Sequence, residues 1–542
     1  MIPRVDFKPV DSVENATIGM MTNKSSDLSH RAEAKAPNLA ARLMSVVLTP
    51  HDTFATIVKK PRPWGVLMTR TGLLGVILPI AACVTAPPPA PPALDVITPD
   101  AWTARQSTGA APTLTWWSDF GDPALDEVVR SAIEQNFDLQ AAAARLEQAV
   151  ADSRIAGADL LPTAQVGLNS ATQKRNFIGF PIPGAEDRVL STVFSNYGVS
   201  LDVTWEADLW GRLRAGARAA LADLQSRAAD LRAAQLSLAG QTVKAWFAIA
   251  ESQQQLGLAE ASVASFRTSS DQTRERFEQG LRPSLDVRLS LSNLANAEAL
   301  REQRRQQLDA AIRQLEVLLG RYASGTLSSP SALPDAPDAI PGGLPAALVA
   351  RRPDLVAAER RITAARQRLQ VAQRQLYPSI SLTGSSGTST SALTDLLKGD
   401  FGVWSLLGNI IQPIFQGGRL RAGIDLAEAR AAEQLATYAN TALQAFSEVE
   451  TALAADAFFA TREHHLEISI EQSRAAEILA DDRYRSGLDD YVTVLESQRL
   501  ALQAEGDLIA ARRLRLENRV DLYLALGGGF DSPGRAAQDQ QP

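Results

Sequence analysis

The most constraining feature of this 542-residue chain is that it contains two copies of one unit. Asp138 and Pro162 recur 216 residues later, whereas the hexapeptide GRLRAG at 211–216 recurs 207 residues later, at 418–423. The segments before and after this change of offset therefore have the same length in both copies. Only the insert between them, 163–210 in the first copy and 379–417 in the second, differs in length. Two copies are fewer than the roughly three that an open solenoid needs. We therefore expect a closed and oligomeric arrangement.

Long helices are predicted in both copies. The segments 211–277 and 418–484 are each 67 residues long, contain no proline and keep apolar residues three or four positions apart. A continuous helix of this length would measure roughly 100 Å. Shorter helices are predicted to return at about 286–320 and 493–525. Such rods cannot bury an apolar stripe in a compact globule, so we expect them to pair along their length, as coiled coils do.

The insert of the first copy is predicted to form strands, at Val166 and Leu168 and again at 196–206. The second of these strands alternates between two faces. Its apolar face carries Tyr197, Val199, Leu201, Val203 and Trp205, and its polar face carries Ser200, Asp202, Thr204 and Glu206. A membrane barrel with lipid outside and water inside has this alternation. A soluble sheet packed on helices has it too, and the long helices favour the barrel.

The insert of the second copy is predicted to repeat the plan. One strand would contain Ile380 and Leu382, and the other would contain Trp404, Leu406 and Ile410. A loop rich in glycine, serine and threonine is predicted between them. No stretch after Cys83 is apolar enough for a transmembrane helix. We therefore expect any membrane crossing to use these strands.

The N-terminal part of the chain indicates the cell compartment. The apolar run 71–82 follows Arg70 and ends in small residues directly before Cys83. This arrangement resembles the lipoprotein box of bacterial signal peptides. By that resemblance Cys83, which is the only cysteine, is acylated and leads into the Pro/Ala tether 84–93. The alternative is an ordinary buried cysteine on a core helix.

The predicted signal peptide also divides the chain. We expect translation to begin at Met68, so that 68–82 is the signal peptide and 1–67 is not part of the protein; a disordered native extension is the alternative. The further predicted segments are the acylated tether (83–112), the first copy (113–320), a linker (321–343), the second copy (344–527) and a disordered tail (528–542).

Composition and motifs exclude several classes of function. The net charge of −7 and the pI near 5.4 argue against nucleic-acid binding. The sequence has no HExxH, GxSxG or P-loop motif. His464 and His465 are adjacent, so on a helix they point about 100° apart and make a poor metal pair. We therefore expect neither an enzyme nor a bound cofactor or metal.

Several motifs, in this order behind the lipoprotein box, carry a family resemblance. They are Trp117 with DFGDPALDEVV (119–129), DLWGRLRAG, FQGGRLRAG and the paired Gly-Leu turns. From about residue 115 to 527 the chain resembles the outer-membrane efflux channel family, in its lipoprotein branch. The resemblance implies an α+β membrane protein with a long α-helical coiled-coil tunnel in the periplasm. It also implies a trimer in which each protomer gives four strands to one transmembrane β-barrel of 12 strands.

The resemblance also implies a function. The trimer would be a passive exit duct, coupled through a periplasmic adaptor to an inner-membrane pump, most simply of the RND type, and anchored in outer-membrane lipid. Two alternatives stay open, an outer-membrane channel for type I secretion and a lipid-anchored coiled-coil scaffold. The exported compound cannot be read from the chain.

The resemblance places a gate at the second Gly turn. It implies that Val492 forms an apolar ring and Glu496 an acidic ring, whose three carboxylates would repel one another and attract cations. Some relatives have an acid at the position of Thr493, which leaves the ring arrangement open. Asp489 and Asp490 could instead hold the tip by polar contacts, or could be solvated acids at a helix start.

The same resemblance assigns two further groups of residues. The turns Gly280-Leu281 and Gly487-Leu488 would be adaptor-docking tips, although each glycine is also expected as a simple helix C-cap. Asp202, Thr204 and Glu206 would line the barrel lumen.

Overall fold

A computed structural model describes the chain from Ala101 onward with gaps. The described residues are 101–104, 115–177, 189–328, 330, 332–337 and 345–528. The expectations for the signal peptide, Cys83 and the last 14 residues lie outside them.

Within the described residues, the first copy contains four α-helices and two strands. After a short 3-10 helix at Trp116–Phe120 they follow as α1 (Pro123–Gln135), α2 (Phe137–Ala158), β1 (Thr163–Phe177), β2 (Leu190–Glu206), α3 (Arg212–Glu278) and α4 (Ser284–Leu318). The second copy contains α5 (Pro345–Arg351), α6 (Pro353–Arg374), β3 (Ser379–Thr390), β4 (Gly402–Ile411), α7 (Arg419–Arg485) and α8 (Tyr491–Ala525). No helix among these described elements is long and apolar enough to cross a membrane.

The long helices match the sequence prediction. Helices α3 and α7 are each continuous over 67 residues, and α4 and α8 return from them over 35 residues each. Each long helix pairs with its returning helix, and α6 packs against both α3 and α7. The absence of proline within them permits continuity. Many of the buried positions of α3 are alanines, which let the helix backbones approach closely.

In both copies the end of the returning helix is hydrogen bonded to the residue that precedes a shorter helix. The side chain of Asn136, which caps α2, donates to the Leu318 carbonyl oxygen at 3.0 Å. At the corresponding place Arg352 donates to the Ala525 carbonyl oxygen at 3.3 Å. Gly320 follows α4 with a φ of 68°, and a Cβ there would lie 2.5 Å from the Gln135 carbonyl oxygen. Only glycine permits this close approach.

The four strands form one antiparallel sheet in the order β1-β2-β3-β4. Strand β3 extends to Thr390. The prediction of a Gly/Ser/Thr loop after Leu382 was therefore wrong over most of its length, because these residues belong to the sheet. The reason is steric, because a Cβ at Gly387 would lie 2.0 Å from the Val199 carbonyl oxygen of β2. Small residues let β3 lie this close, although their strand propensity is low.

The DFGDP motif anchors the N-terminal segment to the helices. Trp116 is fully buried and stacks on Tyr523 of α8, with ring centroids 5.0 Å apart. The Tyr523 hydroxyl donates to Asp119 at 2.6 Å. Asp122 caps α1 and also accepts from the indole nitrogen of Trp246 on α3 at 2.8 Å. The motif therefore serves packing between the two copies.

Candidate functional site: the hairpin tips and the polar sheet face

Both predicted tips are tight turns that end a long helix. Gly280 has a φ of 74° and Gly487 a φ of 76°, in the left-handed region that favours glycine. In the first turn Gly280 N–H donates to the Phe277 carbonyl and Leu281 N–H donates to the Arg276 carbonyl, both at 2.9 Å. The second turn repeats this pattern, which is the Schellman motif. The glycines thus end the helices as expected, and the docking role stays a prediction.

The leucines of the two turns are free to meet a partner. Leu281 is 67% exposed and Leu488 is 68% exposed. An exposed leucine is common on protein surfaces, but here the same residue occupies the same place in both turns. Each tip therefore presents one apolar side chain beside a rigid turn.

A small aromatic core lies directly behind the turns. Tyr484 and Tyr491 are buried, with ring centroids 5.2 Å apart, and pack with Ala480 and Val494. The Tyr491 hydroxyl hydrogen bonds to Oγ of Ser269 at 3.0 Å. Because Ser269 belongs to α3, this core joins the two helical hairpins of the chain.

Arg282 connects the first turn to the second hairpin. Its guanidinium lies 4.1 Å from the centroid of the Tyr484 ring and donates to the Tyr484 carbonyl oxygen at 2.5 Å. The Tyr484 hydroxyl donates to the buried Asp286 carboxylate at 3.4 Å. A cation over an aromatic face contributes about 0.5–2 kcal/mol. We call Arg282, Tyr484 and Asp286 the tip clasp.

Two of the predicted gate acids are paired with arginines. Asp489 accepts from Arg483 at 2.6 Å across the turn. Glu496 accepts from Arg499, one turn further along α8, at 2.6 and 3.0 Å. Asp490 lies exposed at the N-cap position of α8. Asp489 thus forms an ion pair that links the two sides of the second turn within one hairpin.

The same arginines favour the ionised form of both acids. The hydrogen bond from Arg499 lowers the pKa of Glu496, and the hydrogen bond from Arg483 lowers the pKa of Asp489. Val492, four residues before Glu496 and on the same side of α8, is 58% exposed. A ring of Glu496 carboxylates would be accompanied by a ring of Arg499 guanidinium groups. Repulsion among the carboxylates would therefore be weaker than the sequence suggested.

The predicted lumen residues share one face of the sheet. Asp202, Thr204 and Glu206 alternate along β2, and Asp202 pairs with Gln165 on β1 and Ser385 on β3. This face therefore carries amide, carboxylate and hydroxyl groups across three adjacent strands.

The opposite face of the sheet is apolar. Its exposed side chains include Val166, Leu168, Leu201, Val203, Trp205, Leu382, Trp404, Leu406 and Ile410. The strand register brings them together, since Val166 pairs with Leu201 and Leu382 pairs with Trp205. On the polar face Glu206 accepts from Arg212 at 2.7 Å, where the strand passes into α3. A sheet with these two faces, joined to long paired helices, is typical of a channel protein of the outer membrane.

Comparison with known proteins identifies the family. The chain matches the family model "Outer membrane efflux protein" over residues 128–321 and 344–528. It is 33% identical over 470 residues to the pyoverdine export outer membrane protein OpmQ of Pseudomonas putida, covering 85% of this chain and 98% of OpmQ. It is 34% identical over 462 residues to the outer membrane protein OprJ of Pseudomonas aeruginosa, covering 84% and 95%. The structure of the outer-membrane channel OprN aligns with a TM-score of 0.72 at 29% identity, covering 80% of this chain and 98% of OprN.

The chain therefore belongs to the outer membrane efflux protein family. The predicted outer-membrane location and efflux function are confirmed. The family is one of channel proteins, and the predicted combination of long helices with a strand region is also confirmed.

Sequence reasoning missed the tip clasp and Arg499. Arg282 and Tyr484 are 202 residues apart, and no sequence spacing relates them. A weak signal did exist for Arg499, because an acid followed three residues later by an arginine is a helix-surface ion-pair pattern.

Proposed function

We propose that three copies of this chain form a passive efflux duct through the outer membrane. Each protomer contributes its four strands to one barrel of 12 strands and its paired helices to a periplasmic tunnel. Four strands cannot close a membrane barrel, which needs at least about eight, so the duct requires more than one copy. The observation that carries the proposal is the two-faced sheet, apolar through Val166 and Leu201 and polar through Gln165 and Asp202.

The tip of the second hairpin is proposed to close the duct. Val492 would form the apolar constriction, and Glu496 with Arg499 would form a charged ring beside it. A narrow apolar ring blocks ions by excluding water. The tip clasp, formed by Arg282, Tyr484 and Asp286, holds the two hairpins together behind this ring. Dilation of the duct would require these contacts to change.

The partners belong to the same proposal. A periplasmic adaptor would bind the Gly280-Leu281 and Gly487-Leu488 tips, and an inner-membrane pump, most simply of the RND type, would supply the energy. Acylated Cys83 would anchor the chain to the outer-membrane lipid. The relatives are named for different exported compounds, pyoverdine and toluene among them. The proposal therefore specifies a duct rather than a substrate.

Planar-bilayer conductance of the purified protein tests both the duct and the gate. The variant combines Val492→Ala with Glu496→Ala. We expect the native protein to conduct weakly and the variant to conduct several-fold more, because the ring is wider and less able to exclude water. The matched control is Leu285→Ala, since Leu285 is the counterpart of Val492 in the first hairpin and is 61% exposed. It should leave conductance unchanged.

Other outcomes assign the activity differently. Conduction that none of these substitutions changes would keep the duct and move the gate, first to Asp489 and Asp490. Membrane-inserted trimers that never conduct would contradict the duct and favour a lipid-anchored coiled-coil scaffold. Secretion of a protein substrate through the same trimer would favour the type I secretion role.

A further inference from the structure

A cavity of about 310 Å³ lies where the sheet meets the helices. Its wall is formed by the end of β2, the start of α3, the end of α6, the start of β3 and the segment that follows β4. Sites for small molecules have volumes of about 300–1,000 Å³, so this cavity has room for a small ligand.

The cavity lies on the polar side of the sheet. Glu206 of β2 and Ser379 of β3 line it, and both belong to the face that carries Asp202 and Thr204. In the proposed duct this face lines the lumen. The cavity would therefore open toward the path of the exported compounds.

The two carboxylates of the cavity wall are already paired with arginines. Glu206 accepts from Arg212 at 2.7 and 2.9 Å. Asp208 accepts from Arg214 at 3.2 Å. Both acids are thus neutralised by an arginine that lies close by in the sequence. A further cation in the cavity wall would leave an excess of positive charge.

Arg374, the last residue of α6, is that further cation. Its guanidinium donates to the Gly211 carbonyl oxygen at 2.6 Å, and no carboxylate of the described residues forms an ion pair with it. A guanidinium has five N–H donors, so donors remain available. A Cβ at Gly211 would lie 3.1 Å from Nη1 of Arg374 and 3.6 Å from Nη2 of Arg214. Two guanidinium groups therefore border one small space, which suits a carboxylate.

Two aromatic rings lie beside Arg374 in the same wall. Trp210 stacks on Tyr377, with ring centroids 5.3 Å apart and an angle of 25° between the planes. The indole nitrogen of Trp210 donates to the Pro378 carbonyl oxygen at 2.7 Å, which fixes the ring. The two side chains remain 46% and 53% exposed. A fixed aromatic surface beside a cation favours a ligand that carries both a ring and a negative charge.

The internal duplication shows that the fold does not need these side chains. The counterparts of Arg374, Tyr377 and Trp210 in the other copy are Ala158, Leu161 and Gly417. The backbone is nevertheless repeated, because Gly211 and Gly418 precede the two long helices with φ values of 79° and 82°. The cation and the aromatic pair are therefore additions to a shared plan, which favours a role in binding.

We propose that this cavity binds small aromatic carboxylates that pass through the duct. The carboxylate accepts hydrogen bonds from Arg374, and the ring lies against Trp210 and Tyr377. The inference rests on the proposed duct and adds one class of exported compound to it. Binding is weak, with a Kd of about 1 mM or higher, because a site on an exit path must also release its ligand.

Binding of 2-naphthoate to the purified full-length chain tests the cavity. Saturation-transfer NMR measures it in lipid nanodiscs, and empty nanodiscs give the background from the lipid. The neutral amide 2-naphthamide has the same ring and is measured in parallel. We expect 2-naphthoate to bind several-fold more tightly, because a hydrogen bond to a charged group is about twice as strong as a neutral one.

Two substitutions install the residues of the other copy. Arg374→Ala should weaken the binding of 2-naphthoate about tenfold or more and leave that of 2-naphthamide unchanged, because only the carboxylate needs the guanidinium. Arg374→Lys, which keeps the charge, should retain part of the affinity for 2-naphthoate. Tyr377→Leu should weaken both ligands about two- to tenfold, because both use the ring.

The matched control removes an arginine from the corresponding helix of the other copy. Arg154 is exposed on α2 and lies one turn before Ala158, the counterpart of Arg374. Arg154→Ala should change the binding of neither ligand. An equal loss of both ligands in Arg374→Ala would overturn the assigned contact between the guanidinium and the carboxylate.

The bilayer conductance described above separates this inference from the proposed duct. A conducting protein that binds 2-naphthoate equally well with and without Arg374 overturns the inference and leaves the duct intact. A protein that binds 2-naphthoate through Arg374 but never conducts supports the binding site. It contradicts the duct, and with it the export of this class of compound.

Discussion

The two helical hairpins share one frame but are held together by different chemistry. In both, a helix of 67 residues turns at a glycine into a helix of 35 residues. Both also carry an ion pair at the same place, the exposed pair Arg267–Glu298 in the first hairpin and the part-buried pair Arg474–Glu505 in the second. These shared features fix length and alignment.

The difference lies nearer the middle of the hairpins. In the second hairpin α7 and α8 are joined by the ion pairs Asp456–Arg519, at 3.0 Å, and Glu463–Arg515, at 2.8 Å. The corresponding positions of the first hairpin are all apolar, namely Ile249, Leu256, Leu308 and Ile312. We call the two sets the ionic seam and the apolar seam.

The two seams are expected to contribute differently to the stability of the hairpins and to the alignment of their helices. An apolar seam is favourable without exact alignment, whereas a buried ion pair loses the hydration of both charges and is stable only when the partners meet. The side chains of Arg519 and Asp456 are 6% and 9% exposed. We therefore expect the ionic seam to fix the register of the hairpin that carries the proposed gate, at a cost in stability. Arg512 extends it by bonding both Glu463 and Glu467.

The largest expected effect comes from breaking the buried pair. Arg519→Ala removes one charge of the buried ion pair with Asp456, so we predict a loss of about 3–5 kcal/mol in the free energy of unfolding. Converting both residues to the apolar pair of the first hairpin, Asp456→Ile with Arg519→Ile, should be neutral or stabilising by about 1–4 kcal/mol. Guanidinium unfolding in detergent, followed by circular dichroism, measures both changes.

A matched control uses the exposed pair of the first hairpin. Arg267→Ala should cost about 0.2–1 kcal/mol, because Arg267 is 58% exposed and its partner Glu298 is 40% exposed. If the double isoleucine variant lost as much stability as Arg519→Ala alone, the apolar residues could not replace the ion pair. That result would contradict the view that the ionic seam lowers stability.

The same comparison explains what the sequence could predict. The helix lengths followed from the constant offset and from segments without proline, because both features act locally along the chain. The polar face of β2 followed from its alternation for the same reason. The strand β3 was predicted too short, because its glycines and serines have low strand propensity and only the approach of β2 explains them.

The candidate site was less predictable than the fold. Glu496 and Asp489 could be proposed from the family resemblance, but their arginine partners depend on rotamers and turn geometry. The contact between Arg282 and Tyr484 joins residues on different hairpins, and it exists only after the hairpins have packed. Contacts of that kind depend on tertiary structure, which one sequence does not reveal.

An intermediate effect is expected at the turns, where the two hairpins should behave alike. Gly280→Ala and Gly487→Ala each force a side chain into the left-handed region, so we predict a loss of about 1–2 kcal/mol at each. Gly216→Ala and Gly423→Ala are matched controls within helices, where a Cβ meets no atom within 4 Å. They should stabilise by about 0.5–1 kcal/mol. Unequal losses at the two turns would show that the tip clasp changes the second turn.

The smallest expected effect is a difference in acid sensitivity between the seams. Burial raises the pKa of Glu463, but hydrogen bonds from Arg515 and Arg512 lower it more, so the net shift is downward. A carboxylate with a lowered pKa in the folded state stabilises the fold above its unfolded pKa, about 4.3, and loses this contribution as the pH falls through the folded pKa. The ionic seam should therefore be unaffected between pH 7 and about 5 and weaken below about 4. Its loss should be about 1 kcal/mol or less.

The variant Glu463→Leu with Arg515→Leu isolates this effect, because it installs the residues of the apolar seam while Arg512 keeps Glu467. Unfolding free energies of the native and variant proteins are measured from pH 7 to 3, and their difference removes the titration of the other carboxylates. We expect a constant difference down to about pH 5 and a decrease in the relative stability of the native protein below about pH 4. A difference that already changed between pH 7 and 6 would mean that the pKa of Glu463 is raised rather than lowered. In that case burial, and not the arginines, would dominate the ionic seam.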